Sequence, residues 1–375
     1  MARLTTARLI AAVLVLLLLA PLSGGLPARA EGPEWVPGAR VELRASNIAA
    51  GTRVAAAARA RSAQAATFMV NYDAGFDANP LAKTAFQHAV DIWAGQISSP
   101  VPIVVDAHWS ALDPGVLGSA GADYWLRNFP GAPQSGTYYP AAVANRLAGT
   151  DLYPQYPDIQ ASFSSSFNWY LGTDGNTPPG QYDLVTVVLH ELGHGLGFAG
   201  SGSVASGLGY YGLLSTPLIW DRLVVNGNGT PILSLASGTS ALRLELTGAD
   251  LYFSGIGAKA ANGGAAARLY APTIWEQGSS YSHLDEATYP AGNPNSLMTP
   301  QLGSAEAIHD PGPIVRGMLA DIGWATSAPT ATPAPASTAT PIPTATATPV
   351  PIPTPVPIPT LGPGTTRLLV PTAPR

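Results

Sequence analysis

The sequence predicts a mixed α/β (α+β) fold, with a twisted mixed sheet packed on one central helix and a smaller, loop-rich C-terminal subdomain after it. Three observations predict it. Residues 67–109 read strand, helix, strand in order, the pattern of an open sheet with helices laid on it. Residues 182–198 carry apolar positions at helical spacing and follow an alternating, strand-like stretch. Hydrophobic residues are 46% of the 375, enough for a large core, while 40 glycines and 37 prolines demand many turns and a low-complexity segment.

Each element has a local cause. Arg3 and Arg8, an apolar run over 9–19 and Ala28-Arg29-Ala30 read as a secretion signal over residues 1–30. The run is shorter than the roughly 20 residues of a spanning helix, so release outside the cell with no membrane span is expected. Residues 31–65 are polar, alanine-rich and without a clear period, and read as a flexible leader or pro-segment. Residues 66–200 form the N-terminal subdomain. There T-F-M-V-N-Y at 67–72 is a strand, and 81–97 is a helix with Phe86, Ala89, Val90, Trp93 and Ile97 on one side. Residues 101–109 are nearly continuously apolar and so interior, with His108 in a structural position beside Trp109. Residues 158–168 alternate cleanly and suit a half-buried strand at a sheet edge.

Residues 201–325 form the C-terminal subdomain. A hairpin is expected over 218–233 with its turn at 226–229, a Gly/Ala-rich loop over 258–267, and a closing helix over 313–322. From 326 to 375 the chain is Pro, Thr and Ala in short periods, an extended stalk without a core, able to hold the protein at a cell surface. Charged residues are only 11% and the net charge is −5, with no basic run, which excludes a nucleic-acid partner. Cysteine is absent, so packing and metal ions rather than disulfides must stabilise the fold, and no thiolate can serve as a ligand.

The chemistry is concentrated in residues 182–198, Y-D-L-V-T-V-V-L-H-E-L-G-H-G-L-G-F. Asp183 stands where an N-cap is expected, and Gly197 before Phe198 marks the stop, in a left-handed C′ position. On this helix His190 and His194 are i and i+4, so their rings leave one face a turn apart with Glu191 beside them. Two neutral imidazoles at this spacing can share one Zn²⁺ at about 2.0–2.1 Å, leaving the carboxylate to take a proton from metal-bound water. An amphipathic helix with two chance histidines would show the same period. The motif, its helical context and the terminating glycine together favour the site.

A catalytic zinc needs three protein ligands and a water. In the longer pattern H-E-x-x-H-x-x-G-x-x-H the last histidine would fall at Gly200, which cannot ligate. Downstream, Y-S-H-L-D-E at 281–286 offers His283, or Asp285 or Glu286 as a carboxylate ligand, and L-M-T-P follows at 297–300. His309 lies further on, near the closing helix. Met298 could equally be core packing.

These two blocks, with a long insertion between them, resemble the leishmanolysin-type branch of the metzincin zinc metalloproteases. The resemblance implies a zincin-like fold of two subdomains with a cleft between them. By residue match it implies zinc on His190, His194 and His283, the base at Glu191, and supporting roles for Gly197 and for Met298 in a Met-turn. The cysteines usual in that branch, and any latency device built on them, have no counterpart here. The expected activity is a secreted zinc endopeptidase, Glu191 passing the water's proton to the leaving amine of a protein or peptide substrate. The peptide would lie against the strand near 158–168. The competing reading is a catalytically inactive zincin-fold adhesin or binding module on a Pro/Thr stalk, which would have no need of Glu191.

Overall fold

A computed structural model describes residues 33–56 and 65–326. Its main sheet has six strands: β1 (Val41–Ala45), β2 (Phe68–Tyr72), β3 (Ile103–Ser110), β4 (Val116–Ala122), β5 (Ile159–Ser164) and β6 (Gln301–Leu302). They stand in the order β6-β1-β4-β5-β3-β2. β2, β3 and β5 run parallel, β4 runs antiparallel to both β5 and β1, and β6 joins parallel to β1. The fold is therefore mixed α/β, with seven α-helices among the described residues. Because β6 comes from the C-terminal part of the chain, the sheet is shared across residue 200.

The parallel pair β2 and β3 needs a crossover, and α1 (Pro80–Ala94) supplies it. Proline stands at its start, Gly95 at its end, and Phe86, Ala89, Val90 and Trp93 are buried. The Trp93 indole N–H donates to the Leu189 carbonyl at 2.9 Å, tying α1 to α2 (Leu184–Gly195). Every residue of α2 is buried. α2 is enclosed by the sheet on one side and the segment around Met298 on another. β3 is interior, as its apolar run predicts.

Four expectations are corrected. The described part of the 31–65 segment is no free leader. Glu34–Pro37 pairs with Tyr124–Arg127, β1 sits inside the main sheet, and Arg53–Val54 pairs with Ala307–Ile308. V-E-L-R at 41–44 is a short alternating strand: Val41 and Leu43 are buried, and Glu42 and Arg44 pair on the other face. Its partners lie far along the chain, where a local period carries no information.

The 158–168 strand is not an edge, since β5 is flanked by β4 and β3. Its polar face is made of half-buried Gln160 and of serines small enough to bury, and Ser162 accepts from Arg40 at 2.8 Å. The turn at 226–229 forms, but Val224–Asn226 pairs with Leu251–Phe253. Pro231 has no N–H to extend a hairpin ladder, and the chain passes into a 3₁₀ turn at Ile232–Ser234. Finally, the 258–267 loop is in part a helix, α3 (Ile256–Ala261). Alanine favours it, and the Asp321 carboxylate accepts from the Gly257 and Ala258 amides at 2.7 and 2.9 Å. Asp321 ends the closing helix α4 (Gly312–Asp321), which has Pro313 in its first turn as predicted.

The signal over 1–30 and the stalk beyond residue 326 lie outside the described residues. Among the described residues no helix is long and apolar enough to cross a membrane.

Candidate metal centre

The helix that carries the motif is fixed at both ends. Asp183 caps its start, accepting from the Thr186 amide at 2.8 Å and from its hydroxyl at 2.7 Å. At its end Gly197 has φ +106°, and the Gly197 and Phe198 amides donate back to the His194 and Gly193 carbonyls. This is the Schellman arrangement, and only a glycine accepts that φ without strain. A side chain there would also meet the Pro140 ring at 2.6 Å.

The third imidazole arrives by long-range backbone pairing. The Tyr270 amide donates to the His283 carbonyl and the Leu284 amide to the Met298 carbonyl, both within 2.9 Å. Tyr281, just before it, is a buried non-glycine residue at φ +73°, held by its hydroxyl donating to the buried Asp221 at 3.2 Å. Gly200, the position left empty by the short motif, faces the Tyr281 ring so closely that a Cβ would stand 2.2 Å from it. Its amide donates to the Ser282 hydroxyl at 3.1 Å, which ties the helix exit to the loop bearing His283.

The three rings converge. Nε2 of His194 lies 2.9 Å from Nε2 of His190, and Nε2 of His283 lies 3.2 Å from each of them. All three side chains are 0% exposed. Their other nitrogens settle the tautomer. Nδ1 of His190 faces the Leu297 carbonyl at 2.6 Å, that of His194 the Phe198 carbonyl at 2.7 Å, and that of His283 the Ser279 carbonyl at 2.7 Å. A carbonyl only accepts, so each Nδ1 carries the proton and donates it. Each Nε2 then presents a lone pair toward the other two.

Three converging lone pairs in a buried space repel one another unless a cation lies between them. Donors about 2.0–2.1 Å from one tetrahedral ion stand about 3.3–3.4 Å apart, close to the separations found. Burial holds the His190 and His194 rings well below the usual histidine range and His283 at about 4, so all three stay neutral, the form that ligates. The donor set therefore fits zinc. Backbone carbonyls supply the outer hydrogen bonds that orient such ligands.

Glu191 is also fully buried. Its Oε1 accepts from the Leu43 amide at 3.1 Å, and its Oε2 has no hydrogen-bond partner among the described residues. Burial pushes its carboxyl well above the usual range, with the amides of Leu43 and Ala120 acting against that. Met298 is fully buried on a short 3₁₀ turn, Ser296–Met298, with its sulfur packed against Gly193 between the two helix histidines.

The other candidate ligands stand elsewhere. Asp285 accepts from the amide and hydroxyl of Thr288, and His309 is hydrogen-bonded to Asp183 at 2.8 Å. Among the described residues the group of three or more potential ligands within reach of one ion is His190, His194 and His283, without Glu286. Sequence reasoning missed Leu43, Asp221 and Tyr281. The V-E-L-R alternation could have placed the first, whereas nothing local marks the other two.

A family model described as SPBPB7E8-like matches residues 132–255, less than half of the chain. That span holds His190, Glu191 and His194 and stops before His283. No curated protein and no solved structure matches the chain.

Proposed function

We propose that this chain is a secreted zinc-dependent endopeptidase of the zincin-like, metzincin type, working at the centre formed by His190, Glu191, His194 and His283. The observation that carries it is the convergence of three unprotonated Nε2 atoms beside a buried carboxylate with one unpartnered oxygen. The parallel strands flanked by antiparallel β4, and the Met298 turn under the helix, support the metzincin-type reading. Secretion is supported by the pattern of residues 1–30.

A zinc ion held there supplies Lewis acidity toward a carbonyl and makes a water acidic enough to lose a proton near neutral pH. The chain's own residues do the rest. The three carbonyls of Leu297, Phe198 and Ser279 lock the rings with Nε2 inward. Oε2 of Glu191 is the atom free to take the water's proton and return it to the departing amine. A carboxyl raised by burial is a stronger base than an exposed one, which suits it to both transfers. With the 158–168 strand interior, the peptide has to be met elsewhere.

The test is zinc content together with cleavage. The full chain and Glu191→Ala are each measured for bound zinc, then incubated with casein with and without 1,10-phenanthroline. One zinc per chain in both proteins, with slow, chelator-sensitive fragmentation by the full chain that Glu191→Ala lacks, is the expected result. A chain that takes up no zinc, or cleavage that survives Glu191→Ala within tenfold, overturns the reading.

A further inference from the structure

We infer that β1 is the chain's own occupant of the peptide-binding edge: residues 41–45 lie on β4 where an extended substrate would pair, and they hold the proposed endopeptidase latent. The inference rests on the protease reading and concerns the regulation and substrate class of the same centre.

β4 is the strand that touches the proposed base. A Cβ on Gly118 would stand 2.8 Å from the Glu191 side chain, so the backbone of β4 passes directly against it. The free side of β4 is the natural place for an added peptide strand. That side is taken by β1, antiparallel, with Val41 opposite Ala120 and Leu43 opposite Gly118. The ladder is irregular between Leu43 and Arg44, and a bulge at such a place re-aims the backbone. Here it coincides with the Leu43 amide donating to Glu191 rather than lying idle. On its other side β1 donates from the Glu42 and Arg44 amides to the Gly278 and Pro300 carbonyls, both 3.2 Å away. The strand thus bridges the base strand and the loop that leads to His283.

The consequence is closure. All three histidines and Glu191 are 0% exposed. The neighbouring cavity, lined by Ala199, Gly200, Leu218, Trp275 and Ser282, has Val41 in its wall. A peptide carbonyl has to come within hydrogen-bonding reach of the base to be hydrolysed, and β1 stands in that path. Glu191 is engaged there by the Leu43 amide, a donor and not a scissile carbonyl. Its departure uncovers the β4 edge, the Glu191 oxygen and the Val41 side of the cavity together. It also defines the substrate class: an extended segment antiparallel to β4, with apolar side chains two residues apart as in Val41 and Leu43.

The experiment uses the full zinc-loaded chain and two variants. Leu43→Pro removes the amide donor, and Leu43→Ala keeps every amide but weakens the docking of β1. Cleavage of an internally quenched peptide is measured beside the rate of zinc loss to a chelator, a readout that needs no catalysis. Both rates are expected to rise at least tenfold in folded variants. A synthetic peptide of sequence PGARVELRASN should slow the variants, and its scrambled form should not. Faster zinc loss with no cleavage in any protein supports the closure but overturns the protease reading. Unchanged rates in a folded Leu43→Ala chain overturn the closure and leave the protease reading intact.

Discussion

Replacing His283 with alanine should uncouple zinc from the stability of this protein, and the size of the effect can be worked out. The wild-type chain presents three inward Nε2 atoms with separations of 2.9 and 3.2 Å. An ion that binds the folded form alone stabilises it by RT ln(1 + [L]/Kd), about 4.1 kcal/mol at a thousandfold excess of free zinc over Kd. For a domain of this size each kcal/mol is about 2 °C in Tm, so the zinc-dependent rise is about 8 °C. His283→Ala leaves two ligands. If affinity falls by a factor of about a thousand, the same zinc concentration contributes only about 0.4 kcal/mol, under about 1 °C. The substitution also opens a cavity and strands the Ser279 carbonyl, lowering the melt without zinc. The quantity to compare is therefore the difference with and without zinc, read by scanning calorimetry. His309→Ala is the control, a nearly buried histidine bound to Asp183 outside the cluster. A full zinc shift in His283→Ala, or its loss in His309→Ala, refutes the assignment.

Three further outcomes follow from the same geometry. Glu191→Gln, measured in the Leu43→Ala background, should retain zinc and lose hydrolysis by about 10²–10⁴-fold. Without zinc it should melt higher than its parent, because the cost of burying a carboxyl that ionises freely in the unfolded chain is gone; a lower melt or a rate within tenfold contradicts this. For His283, burial lowers the folded pKa to about 4 from an unfolded value near 6.5, so its contribution is present above pH 6.5 and lost as pH falls through that window. The urea stability difference between chelated wild type and His283→Ala should shrink by about 2 kcal/mol from pH 7 to pH 5; a constant difference would show that the ring is not held neutral. Gly197→Ala combines a left-handed φ of +106° with contacts at 2.6 and 2.9 Å to Pro140 and Ile322. It should cost about 2–4 kcal/mol in urea unfolding, and a loss below about 1 kcal/mol is inconsistent with that cap.

What could be read from the chain was what local periodicity determines. α2 was legible because its cap, its apolar spacing and its stop all lie within residues 182–198. His190, Glu191 and His194 share that helix, so their mutual placement needed no tertiary information. β3 was legible as interior because its run is nearly continuously apolar in its middle, and it is flanked by strands on both sides. β5 misled because alternation reports side-chain polarity, and serine alternating with alanine and phenylalanine can be buried on both sides. α3 was hidden because its stabilising carboxylate, Asp321, belongs to another helix. β1 was hidden for the same reason: a five-residue strand has too short a period to stand out, and its pairing partners β4 and β6 begin at residues 116 and 301.

The third ligand shows where such reading stops. Sequence narrowed it to His283, Asp285, Glu286 or His309, and selection among them was made by bonds to main-chain atoms. Tyr270 to His283 and Leu284 to Met298 are backbone pairs, and the three Nδ1 atoms donate to backbone carbonyls. Residues 198, 279 and 297 act on the rings through groups that every amino acid carries, so their identity leaves no chemical mark of that duty in the sequence. The side chains that are marked serve other ends: Gly200 makes room for the Tyr281 ring, and Asp221 holds that ring's hydroxyl. A centre whose ligands are side chains but whose orientation is main chain will always be half visible from sequence, and the invisible half is what decides whether three imidazoles meet.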